Sequence, residues 1–197
     1  MRSFGADFYD GNIIKDPDTV CANLDFAYLN MGQGIVPDEK YKEYSAMFKA
    51  RGKPRGPYFV YDPSVPITLQ YKFIMSTMDM DSELPLAIDC ELARDGKSAV
   101  NYWDDMSNLL GWLTRDLGYK PHVYTGLWWW QPNMYQWGKG VAGYPTWQSE
   151  FDFALAEYPY AKGRVHVSWE EMKTKYLPTY STPKVSCGIT TSQVAWW

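Results

Sequence analysis

The chain is poor in histidine and cysteine, with no long apolar run and no basic cluster, and each shortage removes a class of function. Its two histidines, His122 and His166, fall in predicted strands with no cysteine or suitably placed serine beside them, so both read as structural. Cys21, Cys90 and Cys187 lie far apart without metal-ligand spacing. That argues against a zinc site or a disulfide framework, and for free thiols in a reducing compartment. No window approaches the ~20 apolar residues of a membrane span. The opening "MRSFGADFYDGN" lacks the apolar core of a signal peptide. Synthesis in the cytoplasm, with no membrane partner, is the expectation. A formal net charge of −4 without a Lys/Arg run leaves no footprint for a phosphate backbone, so no nucleic acid is expected. Neither G-x-G-x-x-G nor G-x-x-x-x-G-K-[ST] follows a predicted strand, which removes the usual nucleotide site. No cofactor or metal is called for.

Aromatic residues, by contrast, make up 17% of the 197 residues, with 10 Trp and 16 Tyr. Most must fill a core, yet an apolar face joined to a polar edge also suits the faces and hydroxyls of sugar rings. The length is that of one domain, residues 1–197, with a core of its own.

Short apolar runs alternate with helical patterns through the first two thirds. "SFGADF", "LDFAYLNM", "GPYFVYD", "LPLAIDCEL" and "KPHVYTG" read as five strands. Residues 37–52 place Tyr41, Tyr44, Met47 and Phe48 on one helical face, with Pro37 in the first turn and Gly52 just past the last. Residues 66–78 form a second helix with Leu69, Phe73 and Ile74 inward. Residues 98–118 set Val100, Trp103, Met106, Leu110, Leu113 and Leu117 at spacings of three and four, ending at Gly118. Such alternation implies parallel strands joined by crossover helices. Acids at the ends of strands one and four favour an α/β barrel of TIM type, whose sites form at that rim. Beyond Gly126 the chain turns helix-poor. "YPTWQSE" and "GRVHVSW" read as strands, and only "SWEEMKTKYL" offers a helix, with Ser168 and Glu171 as a capping box. "LWWWQP" falls at the rim after strand five, where one Trp is free to reach a ligand while two pack.

Asp89 and Glu91 close the fourth apolar run, and residues i and i+2 of a strand point to the same face. A carboxyl pair held together is costly, since each charge loses hydration and raises the pKa of the other. Ordinary surface acids at a strand running out into solvent give the same pattern, because periodicity does not report depth. Cys90, between them, points to the opposite face and reads as buried.

Taken in order, "FGADFYDG", "LDFAYLNMGQG", "RGPYFVYDP", "PLAIDCE", "KPHVYTG" and "YPTWQSEF" resemble the glycoside hydrolase family 25 lysozymes over nearly the whole chain. The resemblance implies a flattened eight-stranded barrel with helices around only part of it. It also implies a peptidoglycan hydrolase that cuts the β-1,4 bond between N-acetylmuramic acid and N-acetylglucosamine. Bacterial glycan strands would be the partner, reached after lysis or release or from a phage particle, with room for a cell-wall-binding domain beyond Trp197. The cleft acids it implies are Asp7, Asp89 and Glu91. Glu91 would be the general acid, with Asp7 and Asp89 ionised to orient the sugar's acetamido group or stabilise positive charge. Tyr58, Tyr124 and Trp147 match the family's aromatic cleft positions, with core packing the alternative for each.

Some residues depart from the family pattern. Gln33 and Asn30 stand where the family carries an acid and a basic residue, and Phe59 where a His is common. An acid expected on the final strand has no located counterpart. "QVAWW" reads either as the segment before a last strand the chain does not reach, or as strand eight of a closed barrel. The first account is favoured because two tryptophans make a poor exposed tail. Two further functions therefore stay open: a non-catalytic glycan-binding or structural module on the same barrel, and a glycosidase for another 2-acetamido sugar polymer.

Overall fold

The computed structural model describes residues 3–137, 142–156, 168–171, 174 and 185–196. Strand β1 (Gly5–Phe8) leads through α1 (Pro17–Asn23) into β2 (Phe26–Gln33). Helix α1 has no counterpart in the sequence expectations. Its local signal is Asp16-Pro17: Asp16 Oδ1 accepts from the Thr19 amide at 3.0 Å, and Pro17 presets the first helical φ. β2 then pairs with the two-residue β3 (Val36–Pro37) in an antiparallel hairpin. Glycine is required there, because a Cβ at Gly32, whose φ is 147°, would meet the Val36 carbonyl at 2.4 Å. Pro37 is therefore strand rather than the first helical turn. Helix α2 (Tyr41–Ala50) starts later, since Asp38 captures the Lys40 amide at 2.8 Å with its carboxylate and the Tyr41 amide at 3.4 Å with its carbonyl.

β4 (Arg55–Val60), α3 (Ile67–Thr77), β5 (Ala87–Asp89), α4 (Ala99–Leu117) and β6 (His122–Thr125) continue the alternation. On α3 Gln70 and Ile74 are buried and Phe73 packs against the core, while Leu69 is exposed, contrary to expectation. Gln70 is drawn in because its amide closes the loop after β4: Oε1 accepts from Asp62 N at 3.0 Å, and Nε2 donates to Asp62 O and Val65 O at 2.8 Å. α4 starts at a Ser98–Asn101 capping box, ends at left-handed Gly118, and buries Met106, Leu110 and Leu113 together with Tyr102 and Leu109. Val100 is on its exposed side.

"LWWWQP" is helical, as α5 (Leu127–Met134), with Trp129 and Trp130 buried and Trp128 exposed. "YPTWQSE" is not a strand. Residues Thr146–Glu150 form a 3-10 helix, and the strand is the fully buried β7 (Phe153–Leu155) that follows. α6 (Trp169–Glu171) starts where Ser168 Oγ accepts from the Glu171 amide at 3.0 Å. "GRVHV", including His166, and most of the helix expected after Glu171 lie outside the described residues. β8 (Val194–Trp196) pairs parallel with β7, so this part of "QVAWW" is itself a strand. Gln193 seats it, donating from Nε2 to Gln148 O at 2.7 Å. Among the described residues no helix is long and apolar enough to cross a membrane.

The sheet has the order β1-β2-β4-β5-β6-β7-β8, all parallel along that path, with β3 off β2. It curls as a (β/α)-barrel does, yet no pairing of β8 with β1 closes it among the described residues. Phe8, Leu29, Met31, Phe59, Ile88, Val123 and Phe153 project to its outer face and are buried with side chains of α2, α3, α4 and α5. The main core thus lies between sheet and helices, which leaves the inner face free for a cleft.

Candidate active site

The cleft follows from strand register. Asp7 pairs with Tyr28, Tyr28 with Gly56, Tyr58 with Ala87, and Asp89 with Tyr124. Partners in register share a face, as do residues two apart on one strand. These side chains therefore form one band that climbs two residues at β4 and two more at β5, the stagger that curls a sheet towards a barrel. Asp7, Tyr28, Tyr58, Ala87, Asp89 and Tyr124 of this band, with Glu91 two residues beyond Asp89, line an open cleft at the carboxyl end of the strands. Its floor is kept low by small residues. A Cβ at Gly56 would meet the Tyr28 ring at 2.7 Å and Leu84 Cβ at 2.9 Å.

Asp7, Asp89 and Glu91 are thus brought together, with Tyr58 and Tyr124 around them. Trp147 does not line this cleft. Its indole N–H donates to the Trp103 carbonyl at 3.2 Å, and its ring packs edge-on against Trp130 and Phe151. Tyr28 is a lining residue that sequence reasoning missed. The available signal was the period-two face of "LDFAYLNM" that also carries Asn30. Asn30 Oδ1 accepts from the Gly32 amide at 3.0 Å, and Gln33 Nε2 reaches Asp62 at 3.3 Å, so both tie down the strand end. Phe59 faces away from the cleft, buried against Phe73, so its replacement of a histidine bears on the core. His122 sits in β6, and burial lowers its pKa despite the opposing charge of Asp152.

No lysine or arginine lines the cleft among the described residues. Asp89 Oδ1 and Glu91 Oε1 are buried and make no hydrogen bond. Burial, and then the charges of Glu91 and Asp7, push Asp89 up to about 8. Burial and then Asp7 raise Glu91. Water reaches Asp7, but the protein around it still raises its carboxyl by desolvation, against a backbone hydrogen bond that lowers it. The Tyr58 hydroxyl is pushed above its ordinary range by burial first, then by Asp7 and Asp89. From sequence, Asp89 is expected to stay ionised. In the chain alone, burial and the charges of Glu91 and Asp7 oppose that ionisation. Among the described residues no group of His, Cys, Asp and Glu is arranged to hold a metal ion.

Carboxyls held close without cationic partners cannot all ionise cheaply, and such groups store and deliver protons near neutrality. Here they stand at the carboxyl rim of a parallel barrel-like sheet, the end at which such folds form their sites. Residues 17–174 match the model described as Glycosyl hydrolases family 25, and the chain belongs to that family. It is a glycoside hydrolase by that membership. Asp89 and Glu91 fall inside the matched span, and Asp7 precedes it. Similar solved structures include a muramidase from Acremonium alcalophilum, at 20% identity and TM-score 0.68, covering 82% of this chain and 80% of that one. A lysozyme from Streptomyces coelicolor aligns at 18% identity and TM-score 0.66, over 80% of this chain and 75% of its own. The spore cortex lytic enzyme SleM of Clostridium perfringens aligns at 17% and 0.66, over 84% and 57%. At these identities the likeness establishes the fold. No curated protein matches the chain by sequence.

Proposed function

We propose that the chain is a peptidoglycan hydrolase of lysozyme type, cutting the β-1,4 bond between N-acetylmuramic acid and N-acetylglucosamine. The observation that carries this reading is the trio of carboxyls, Asp7, Asp89 and Glu91, with no lysine or arginine among the described lining residues, in the cleft of a family 25 sheet. The matched structures described as muramidase and lysozyme agree with it. Glu91 is the general acid because it is less enclosed than Asp89 and lies past the strand end, where a leaving glycosidic oxygen can reach it. An acetamido N–H donated to Asp89 favours its ionised form and sends the shared proton to Glu91. Asp89 then orients the acetamido group while Asp7 offsets positive charge developing at the anomeric carbon. Tyr28, Tyr58 and Tyr124 line the cleft and are the aromatic residues that would meet the sugar, while Trp147 packs in the core. Action on bacterial glycan strands after lysis or release belongs to the same reading.

The test is digestion of purified peptidoglycan followed by identification of the new reducing ends. Muramic acid ends are expected. Glucosamine ends would move the specificity to another 2-acetamido linkage. Glycan binding without new ends would overturn the enzymatic reading in favour of a binding module.

A further inference from the structure

Strand β5 ends at Asp89, so Glu91 projects from backbone beyond the last paired strand residue. The Cys90 amide still donates to Tyr124 O at 2.8 Å. The next polar group along the chain is the Cys90 carbonyl, the oxygen of the peptide bond that leads into Glu91. It accepts from Thr125 Oγ1 at 2.8 Å. Thr125 is the last residue of β6 and is wholly buried, at 0% exposure. The same hydroxyl lies 3.4 Å from Gly126 O, and its single proton serves the shorter contact. The Cys90 side chain is held as well, with Sγ 3.4 Å from Met106 Sδ in the core. Glu91 has no comparable anchor of its own, since its buried Oε1 makes no hydrogen bond. The direction of its carboxyl is therefore inherited from the backbone behind it.

We infer that Thr125 is a positioning residue for Glu91, its hydroxyl fixing the peptide plane from which that side chain enters the cleft. This rests on the reading of Glu91 as the general acid. Without the hydroxyl, the Cys90 carbonyl loses its buried donor and the plane is free to tilt. A misplacement of about 1 Å at a reacting group costs up to about 10²-fold in rate.

Thr125→Ser and Thr125→Ala differ by one hydroxyl, and Thr125→Val keeps the size of threonine without it. These variants and Glu91→Gln are compared on soluble peptidoglycan fragments, with folding checked by circular dichroism. The serine variant should exceed the alanine and valine variants in kcat by about tenfold or more, with KM changed by less than about twofold. A merely structural role would lower the melting temperature and leave the kcat of folded molecules alone. Equal kcat for serine and alanine overturns the inference. Failure of both to fold does so too, because the γ-methyl rather than the hydroxyl would then be what the position needs. If only the valine variant fails to fold, the serine-to-alanine ratio decides. Glu91→Gln retaining more than about a tenth of the activity brings down the assignment of Glu91, and the inference with it. An inactive Glu91→Gln beside equal serine and alanine variants brings down the role of Thr125 alone.

Discussion

At the amino ends of the strands Asp81 and Glu83 lie against Arg55, whereas at the carboxyl ends Asp89 and Glu91 lie against each other and Asp7. Arg55 is almost wholly buried. Its Nη2 donates to Asp81 at 2.9 Å, Nη1 to Glu83 at 2.8 Å, and Nε to Ser45 Oγ at 2.9 Å, while Lys49 also bonds Asp81. The Lys49 hydrogen bond, then Arg55 and Lys49 charge, outweigh burial and lower Asp81. At Glu83 burial is outweighed by backbone amides and the Arg55 guanidinium, and its carboxyl also falls below the usual range. Among the described residues the carboxyl-end acids face no cation, and Asp89 and Glu91 are raised. One residue type thus serves two ends: paired acids hold the fold, and unpaired acids store a proton at a cost to it. The comparison also fixes opposite pH dependences. A lowered acid contributes stability above its ordinary range and loses it as pH falls. A raised acid contributes stability at low pH and loses it as pH climbs towards its folded value.

The largest expected effect separates chemistry from stability. Glu91→Gln should lower turnover of peptidoglycan by about 10²–10⁴-fold, while its thermal midpoint holds or rises, since an unpaired buried carboxyl has been removed. Activity near that of the parent chain would place the acid elsewhere. At the opposite end, Arg55→Met should cost about 2–3 kcal/mol in denaturant unfolding, through lost hydrogen bonds to charged partners and a stranded Ser45 hydroxyl. The molecules that remain folded should turn over as before.

Two smaller effects test the signs. Asp89→Asn should stabilise the chain at pH 8 by about 1 kcal/mol or more, because Asp89 is pushed up to about 8 and its ionisation opposes folding. That gain should shrink towards pH 4, where the native carboxyl already holds its proton. Unfolding curves across this range that run parallel would contradict the raised value. Glu83→Gln should do the reverse and least, costing under about 1 kcal/mol at neutral pH because its carboxylate is half exposed. The difference should vanish as acid protonates the parent residue.

The strand–helix alternation was legible because periods of two and near 3.6 survive wherever an element buries one face. Helix α1 was not, since its seven residues bury only Cys21 and give no stripe to detect. "YPTWQSE" mimicked a strand through the strand propensity of Tyr, Thr and Trp, although Tyr144 and Trp147 lie three apart and give no period of two. The pairing run is the buried Phe153–Leu155, and Trp147 and Gln148 are instead spent on bonds to Trp103 and Cys187. Leu69 and Gln70 exchanged expected places because an amide that closes a loop can be worth burying ahead of an aliphatic chain.

Within the cleft, sequence by itself determined that Asp89 and Glu91 share a face, since the alternation of a strand is a property of local backbone. It also held the acids, the tyrosines and their order along the chain. Only the tertiary structure decided that Asp7 and Tyr28 join them, that Trp147 stays behind in the core, and that Asp89 and Glu91 are both raised. Those outcomes depend on strand register, on small residues at Gly56 and Ala87, and on the absence of a cation among the described lining residues. Desolvation and charge repulsion act through space between segments far apart in the chain, and no local pattern encodes them.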